Sequence, residues 1–233
     1  MTTFSSAVED YLKAIYEIQT EGGQDRVSTS ALADCLSVAR ASVTGMLKKL
    51  NAMDPKLVDY IRYRGVKLTP AGEKIALEVL RHHRLIELFL SEALGYSWDE
   101  VHLEADNLEH VISEDLEDRI AIMLDHPQID PHGAPIPDRD GTIIQREEIP
   151  LTQLEVNQRV YITRVSDHDP AMLRYLKERG LTLNAQIEVT EKAPFSGPLH
   201  IRLIGTESVY ALGRQVTDNV FVSLTLPEQM RSD

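Results

Sequence analysis

A proline- and glycine-rich segment, HPQIDPHGAPIPDRDG at residues 126–141, separates two parts of the chain that have different hydrophobic patterns. Proline interrupts helices and central strands and glycine favours turns, so a segment rich in both marks a domain boundary. Before it, apolar residues recur at helical spacing. After it, short apolar alternations are broken by turns, with one helix, AMLRYLKERG, near the start. The sequence therefore predicts a mainly α protein that ends in a small β-barrel.

The N-terminal part has the pattern of a winged helix-turn-helix. An amphipathic helix spans VEDYLKAIYEIQTEG and ends at the glycine pair 22–23. Ser28 is placed to cap a short second helix, TSALADCL, and a longer third helix follows, roughly over ARASVTGMLKKLNAM. Apolar runs on both sides of the tripeptide YRG at 63–65 predict a hairpin, or wing, and Pro70 suits the first turn of the next helix.

Small and hydroxyl-bearing residues open the third helix, which lets its backbone approach the major groove of DNA closely. Its lysines, including Lys49, suit flanking phosphates, and the arginines at the wing tip suit the DNA backbone or the minor groove. The residues predicted to contact DNA are Ala39, Arg40, Ala41, Ser42, Thr44, Lys48, Arg62 and Arg64. Each basic residue alone is equally consistent with a solvated surface charge, so the prediction depends on the whole set.

The distribution of charge points to a polyanionic partner for the N-terminal part alone. The chain of 233 residues has a formal net charge of −13, an average that argues against nucleic acid. Residues 38–74, however, carry +5, whereas residues 87–148 carry −14. This asymmetry indicates a basic surface that faces DNA and an acidic middle that attracts cations.

Imidazole and carboxylate groups in the acidic middle recur at the spacing of one helix face. The members of this set are His102, Asp106, Glu109 and His110, with the pair His83 and Glu87 one helix earlier and Asp10 near the start of the chain. Helices are predicted over 71–94, from a cap at 97 or 99 through the set, and over 113–125. The pattern predicts a divalent-metal site, although acidic helices also carry such residues on solvated faces.

Common catalytic motifs are missing from the sequence, so we expect that the protein is not an enzyme. The chain has no H-E-x-x-H, no G-x-S-x-G, no P-loop and no G-x-G-x-x-G that opens a helix. The single cysteine, Cys35, excludes an intramolecular disulfide framework and a cysteine-rich zinc site. The N-terminus lacks the pattern of a signal peptide, and no stretch approaches the ~20 apolar residues of a membrane span, so we expect a cytoplasmic protein.

The chain resembles the diphtheria toxin repressor family of metal-dependent transcriptional regulators, and in particular its manganese-sensing members. The segments that carry the resemblance are EDYLKAIYEI, SVTGMLKKL, YRGVKLTPAGEKIA, RHHRLIELFL, VHLEADNLEHVISEDLEDRI and PHGAPIP. The resemblance implies a winged helix-turn-helix DNA-binding domain at 1–74, a helical metal-binding and dimerisation domain at 75–142, a linker at 143–149 and an SH3-like (FeoA-type) domain at 150–228.

The resemblance also implies a primary metal site. By motif match, its ligands are Asp10, Asp106, Glu109 and His110. Iron-responsive members have a Met and a Cys at the positions of Asp10 and Asp106, and oxygen ligands favour hard Mn²⁺ over the softer ions that bind more tightly in general. Mn²⁺ is therefore the first choice and Fe²⁺ the alternative, because histidine and carboxylate suit both ions.

A secondary metal site is implied as well. Its matched ligands are His83, Glu87, His102 and an acid of the C-terminal domain, for which Asp167 is the best match and Asp169 the rival. Some manganese-sensing relatives use a Cys and a His from the linker; Asp130 replaces the Cys here and His132 is kept, so both are further candidates. Shorter members bridge two metals with a Glu from the first helix, and this chain has Lys13 there.

Function follows from the resemblance as an expectation. The family binds a pseudo-palindromic operator in double-stranded DNA as a homodimer, with a winged helix in each of two successive major grooves. Repression of metal-uptake genes in the metal-loaded state is the expected activity. Two alternatives from other classes are a cytosolic metal-buffering protein or metallochaperone, for which the basic helix is incidental, and a Mn²⁺-dependent hydrolase.

Overall fold

The computed structural model describes residues 4–226, so the ends of the predicted domain ranges at 1–3 and 227–228 lie outside the described residues. The helices are α1 Ser6–Gly22, α2 Thr29–Cys35, α3 Arg40–Asn51, α4 Pro70–Leu94, α5 Val101–Leu108, α6 Glu114–Met123, α7 Pro170–Lys177 and α8 Arg214–Thr217. The strands are β1 Val58–Ile61, β2 Gly65–Leu68, β3 Ile149–Pro150, β4 Arg159–Val165, β5 Gln186–Lys192, β6 Leu199–Leu203, β7 Val209–Leu212 and β8 Val220–Ser223. Among the described residues, no helix has the length and apolarity needed to cross a membrane.

The chain divides into two compact units whose segments alternate along the sequence. The first unit contains the residues up to His83 together with Leu108–Ser113 and Pro137–Thr142. The second contains Arg84–Asn107, Glu114–Ile136 and the residues from Ile143 onward. The domain boundaries predicted from the sequence stay a prediction.

The first unit contains the predicted winged helix-turn-helix, formed by α1, α2, α3, β1 and β2. Helix α1 ends at Gly22 and is capped by Gly23, which adopts the left-handed conformation with φ of 58°. The Ser28 side chain accepts a hydrogen bond from the backbone N–H of Ala31 and caps α2, as predicted. The apolar faces of the three helices pack together with the wing, and the largest fully buried side chains are Leu12, Ile15, Leu32, Leu47, Leu50 and Leu57.

The wing is an antiparallel pair of strands in which Val58 faces Leu68 and Ile61 faces Gly65. Gly65 has a φ of +92°, and a Cβ atom on it would lie 2.4 Å from the carbonyl oxygen of Val27. Only glycine fits this close approach between the wing and the segment before α2. The hairpin predicted around residues 63–65 is confirmed.

Helix α5 is shorter than predicted. It ends at Leu108, so Glu109 and His110 lie in the turn that follows and not on one continuous helix face with His102. The backbone carbonyl of Glu109 lies 3.2 Å from Nδ1 of His82, and its carboxylate accepts a hydrogen bond from Lys13. These tertiary contacts hold residue 109 in the turn and outweigh the local preference for helix.

The C-terminal part of the second unit is a six-stranded antiparallel sheet in the order β3-β8-β4-β5-β6-β7. The sequence predicts four of these strands and α7, and β3 and β8 are additional. Both are short, and β3 has only two residues, too few for an alternating pattern to stand out. The core of this sheet is aliphatic and includes Leu151, Ile162, Leu173, Leu176, Ile187, Ile201 and Val222.

Candidate metal centres

The first unit brings together three of the predicted ligands, Asp10, Glu109 and His110, which we call the first-unit cluster. Asp10 comes from α1, and the other two come from the turn after α5. Nε2 of His110 lies 2.8 Å from Oδ1 of Asp10 and 3.4 Å from Oε1 of Glu109. One donor atom from each residue lies within 4.8 Å of the other two. Two carboxylates and an imidazole at this spacing are a suitable donor set for a divalent cation.

Glu9 orients the imidazole of His110, a role that the sequence analysis did not predict. Its Oε2 lies 2.7 Å from Nδ1 of His110. An ionised carboxylate only accepts hydrogen bonds, so Nδ1 carries the hydrogen and Nε2 is left to face Asp10 and Glu109. A carboxylate behind a histidine is the usual way in which proteins fix the tautomer of a metal ligand. No signal in the sequence separates this role from that of an ordinary helical glutamate.

Glu109 is the most deeply buried member of the first-unit cluster, with 2% of its surface exposed. Lys13 donates a hydrogen bond to its Oε2 at 2.7 Å, and Nδ1 of His83 lies 2.5 Å from the same oxygen. Burial favours the neutral acid, but the hydrogen bond from His83 and the charges of Lys13 and His83 outweigh it and lower the pKa of Glu109. Glu109 is therefore ionised and available as a ligand. Burial raises the pKa of Asp10 against the opposing charge of His110.

The second unit holds a separate group, the second-unit cluster, made of Glu87, His102, Asp130, His132 and Asp167. Nδ1 of His102 lies 3.2 Å from Oε1 of Glu87 and 3.5 Å from Oδ2 of Asp167. Glu87 is completely buried on α4. Asp167, the preferred acid of the sequence analysis, is thus beside the other candidates. Its rival Asp169 instead caps α7 by accepting hydrogen bonds from two backbone N–H groups.

His132 is a buried histidine surrounded by acids. Its Nε2 lies 2.6 Å from the carbonyl oxygen of Trp98, so Nε2 carries the hydrogen of that bond. Nδ1 lies 3.6 Å from Oε2 of Glu87 and 4.0 Å from Oδ2 of Asp167. Burial alone lowers the pKa of His132, but Glu87, Asp130 and Asp167 together raise it to about 10. Without a bound metal, Nδ1 of His132 is therefore protonated, and the charged ring lies among these carboxylates.

Asp130 uses its two oxygens differently. Oδ1 accepts hydrogen bonds from the backbone N–H groups of His132 and Ala134, at 2.8 Å and 2.9 Å. Oδ2 is buried and lies 3.6 Å from Nε of Arg84. Burial and the nearby charge of Glu87 raise the pKa of Asp130 to about 6. Atoms of Glu87, Asp130 and His132 that suit a metal lie within 4.8 Å of one another. Arg84 was not among the predicted site residues.

The two remaining predicted ligands, His83 and Asp106, belong to different units. His83 belongs to the first unit, where Nδ1 faces Glu109 and lies 2.9 Å from Nζ of Lys13. Asp106 belongs to the second, where Oδ2 lies 3.5 Å from Nε2 of His102. Their assignment to the secondary and primary sites stays a prediction.

The residues predicted to contact DNA lie on α3 and the wing of the first unit. Those with exposed side chains are Ala39, Arg40, Ala41, Ser42, Lys48, Arg62 and Arg64. Thr44 is half-buried, and its hydroxyl donates a hydrogen bond to the carbonyl of Arg40, as threonines commonly do inside helices. At the wing tip, Tyr63 is 89% exposed, and the guanidinium of Arg62 lies 4.7 Å from the centre of its ring.

Three protein-family models match successive parts of the chain. The iron-dependent repressor N-terminal DNA-binding domain matches residues 3–66, and the iron-dependent repressor metal-binding and dimerisation domain matches residues 69–138. The FeoA domain matches residues 149–224.

Individual relatives match large parts of the chain. The iron-dependent repressor IdeR of Mycobacterium leprae (strain TN) is 30% identical over 228 residues, which cover 90% of this chain and 94% of that protein. The HTH-type transcriptional regulator MntR of Geobacillus kaustophilus (strain HTA426) is 39% identical over 124 residues, 53% of this chain and 84% of that protein. A solved manganese-dependent transcriptional repressor in complex with manganese has a TM-score of 0.86 at 36% identity, covering 92% of this chain and 98% of that chain.

Proposed function

Because the chain belongs to the diphtheria toxin repressor family of metal-responsive transcriptional repressors, we propose that it is a Mn²⁺-dependent repressor that binds its operator as a homodimer. The observation that carries the proposal is the first-unit cluster. It gathers two carboxylates and an imidazole in the same compact unit as a winged helix-turn-helix.

In the first unit, we assign Asp10, Glu109 and His110 as metal ligands, and Asp106 is kept as the predicted fourth ligand. A bound divalent cation supplies the positive charge that joins these donors. Glu9 holds the imidazole in the tautomer that presents Nε2, and Glu109 is ionised by its surroundings. The donors present in this unit therefore fit a metal ion.

In the second unit, we assign Glu87, His102 and Asp167 as ligands of a further ion, with Asp130 and His132 as additional ligands and His83 as the predicted remaining one. Support comes from the chemistry of this cluster. Three buried or half-buried carboxylates surround His132 strongly enough to hold a proton on Nδ1, and that position also suits a metal. Nε2, the other ring nitrogen of His132, donates a hydrogen bond to the backbone carbonyl of Trp98.

Manganese is proposed because every assigned ligand offers oxygen or imidazole nitrogen. Carboxylate oxygens suit Mn²⁺, whereas thiolate and thioether ligands select softer ions. The single cysteine, Cys35, lies on α2 and is exposed, and it is not a member of either cluster. The manganese complex of the similar solved repressor supports the same ion. Fe²⁺ is the second choice, since the relative from Mycobacterium leprae is named as iron-dependent.

The first-unit cluster links α1 to the segment 108–113. Helix α1 packs against α2 and the wing in one core, so its position determines how the DNA-binding elements are presented. Without a cation, the carboxylates of Glu9, Asp10 and Glu109 repel one another and loosen this link. Coupling between metal and DNA binding is reciprocal, and a typical value of ~1–3 kcal/mol changes operator affinity by roughly 5- to 150-fold.

DNA contact is assigned to the exposed start of α3 and to the wing. Arg40 is assigned to a base edge or a phosphate, and Arg62 and Arg64 to the DNA backbone or the minor groove. The second unit exposes large apolar side chains that suit a dimer interface, among them Leu103, Ile122 and Met123, which are 60%, 64% and 57% exposed. Two copies of the chain then read the halves of a pseudo-palindromic operator. The genes proposed to be repressed are those for metal uptake.

The test is fluorescence anisotropy of labelled DNA from the region upstream of the protein's own gene, titrated with protein in Mn²⁺ and in chelator. We expect the wild type to bind tightly and with sequence selectivity only in Mn²⁺. Glu109→Ala should abolish this Mn²⁺-dependent binding to DNA, while size-exclusion chromatography should still show a dimer. Glu73→Ala, on an exposed turn of α4, is the matched control and keeps the metal dependence. Equal binding in Mn²⁺ and chelator would reject the proposal. Hydrolysis of phosphoesters that requires Mn²⁺ and Glu109 would support the hydrolase alternative.

A further inference from the structure

Tyr63 is a large aromatic residue that the fold presents to solvent at the tip of the wing. Its surface is 89% exposed, and its backbone adopts the left-handed conformation with φ of 66°. The backbone N–H of Arg64 donates a hydrogen bond to the carbonyl of Ile61 at 2.9 Å, so Tyr63 is the third residue of a β-turn. Glycine or asparagine usually occupies that position when φ is positive, because a larger side chain strains the backbone. Tyrosine here serves neither the core nor an easy turn, which indicates a role in binding.

The wing is attached to the helices on both of its strands. Val27 and Val66 exchange two backbone hydrogen bonds, of 2.8 Å and 2.9 Å, which join β2 to the segment before α2. Oδ1 of Asn51, the last residue of α3, accepts a hydrogen bond from the backbone N–H of Tyr60 on β1 at 3.1 Å. All these residues belong to the first unit. The ring of Tyr63 is therefore carried by a hairpin with a defined position relative to α3, the helix assigned to the major groove.

The surroundings of this ring are cationic. Arg62 and Arg64 flank Tyr63 and are exposed, and the guanidinium of Arg62 lies 4.7 Å from the centre of the ring. The nearby acid Asp59 is paired with Arg26. An aromatic ring between two arginines suits a narrow groove bordered by phosphates. The minor groove of DNA, about 6 Å wide, admits such a ring edge-on, whereas a helix needs the major groove, which is about 12 Å wide.

We propose that the ring of Tyr63 enters the minor groove beside the half-site contacted by α3 and makes operator affinity depend on the base pair at that step. A G·C pair presents the guanine amino group in the minor groove, whereas an A·T pair presents only acceptors. The amino group obstructs a ring that reaches the floor of the groove, so Tyr63 favours A·T there. The inference rests on the proposed function, because it takes α3 and the wing as the DNA-binding elements. It adds a residue that selects base pairs outside the major groove.

The experiment measures the anisotropy of labelled DNA from the region upstream of the protein's own gene, with the full-length protein in Mn²⁺ and single base replacements in the DNA. Diaminopurine in place of adenine adds the amino group to the minor groove, and inosine in place of guanine removes it. Replacement along both strands tests every base pair. For the wild type, we expect one step in each half-site where diaminopurine weakens binding, or inosine strengthens it, by roughly fivefold or more.

Three variants connect that dependence to the ring. Tyr63→Asn removes the ring, and asparagine tolerates the left-handed conformation, so the turn keeps its shape. We expect the dependence on the amino group to disappear in Tyr63→Asn and to persist in Tyr63→Phe, because the ring and not the hydroxyl fills the groove. Phe195→Asn is the matched control. Phe195 is 100% exposed with a φ of 59° between β5 and β6 in the second unit, and its replacement should leave the dependence unchanged.

The remaining outcomes separate this inference from the proposed function. If Tyr63 only holds Arg62 in position, Tyr63→Asn and Arg62→Ala both weaken binding by the same factor for every base replacement, and the inference is overturned. A wild type that binds the operator without any step sensitive to the amino group overturns it as well. Equal binding in Mn²⁺ and chelator rejects the proposed metal dependence, while the base replacements still test Tyr63. No binding to DNA in either condition rejects both.

Discussion

The carboxylate of Glu9 lies 2.7 Å from Nδ1 of His110, while the neighbouring Asp10 lies 2.8 Å from Nε2 of the same ring. Two adjacent acids of α1 therefore contact opposite nitrogens of one imidazole. Asp10, beside Nε2, is placed to share a cation with His110, whereas Glu9, beside Nδ1, sets the orientation of the ring.

We predict that Glu9→Gln weakens Mn²⁺ binding at the first-unit cluster by roughly 10- to 100-fold, the usual effect of losing an orienting carboxylate behind a histidine ligand. The amide keeps the size of the side chain but loses its charge, so the tautomer of His110 is less strongly fixed. Calorimetric titration with Mn²⁺ measures the change. Glu73→Gln, on the exposed start of α4, is the control. An affinity unchanged in Glu9→Gln would remove Glu9 from the site.

The sequence predicts the helices and the hairpin of the first unit well because their signals are local. The Ser28 cap, the stop at Gly23 and the hairpin before Gly65 each depend on a few neighbouring residues. Spacing and chemistry predict that Asp10, Glu109 and His110 belong to a metal site, the resemblance assigns them to one ion, and the structure brings them together. Their surroundings depend on contacts between distant segments, such as Lys13 with Glu109, for which the linear pattern has no signal. The same contacts end α5 at Leu108, two residues before the predicted helix face is complete at His110.

We predict that the affinity of the second-unit cluster for Mn²⁺ depends on pH. The pKa of His132 is raised to about 10, so this histidine is protonated at neutral pH and must lose its proton to bind a metal. Mn²⁺ affinity should therefore rise with pH, by roughly tenfold per unit for one released proton. Below about pH 6, Asp130 also takes up a proton, and the dependence should become steeper.

Calorimetry between pH 5.5 and 8 in buffers of different ionisation enthalpy counts the protons released. His132→Gln should bind more weakly at this cluster and release about one proton fewer per ion. An affinity that stays flat over this range in the wild type would mean that His132 is not a ligand.

Arginines of α3 and of the wing are expected to affect DNA binding in different ways. Arg64 is exposed at the wing tip, where a contact to phosphate is independent of sequence. Arg64→Ala should weaken binding to specific and unrelated DNA alike and reduce the slope of log affinity against log salt by about 1. Arg40→Ala, at the start of α3, should cost about 1–3 kcal/mol on the operator and less on unrelated DNA if it reads a base. Anisotropy titrations over a range of salt concentrations distinguish these patterns, and equal profiles for the two variants would show that Arg40 contacts phosphate and reads no base.

The wing depends on a glycine that no other residue replaces without strain. Gly65 has a φ of +92°, and a Cβ there would lie 2.4 Å from the carbonyl oxygen of Val27, a backbone atom that cannot turn aside. Gly65→Ala should therefore destabilise the fold by about 1–3 kcal/mol, seen as a lower melting temperature in circular dichroism. Gly45→Ala makes the same substitution inside α3, where a Cβ meets nothing within 4 Å, and should be neutral or stabilise the helix by up to ~1 kcal/mol. Equal melting temperatures for the two variants would show that the approach of the wing to Val27 is not needed for stability.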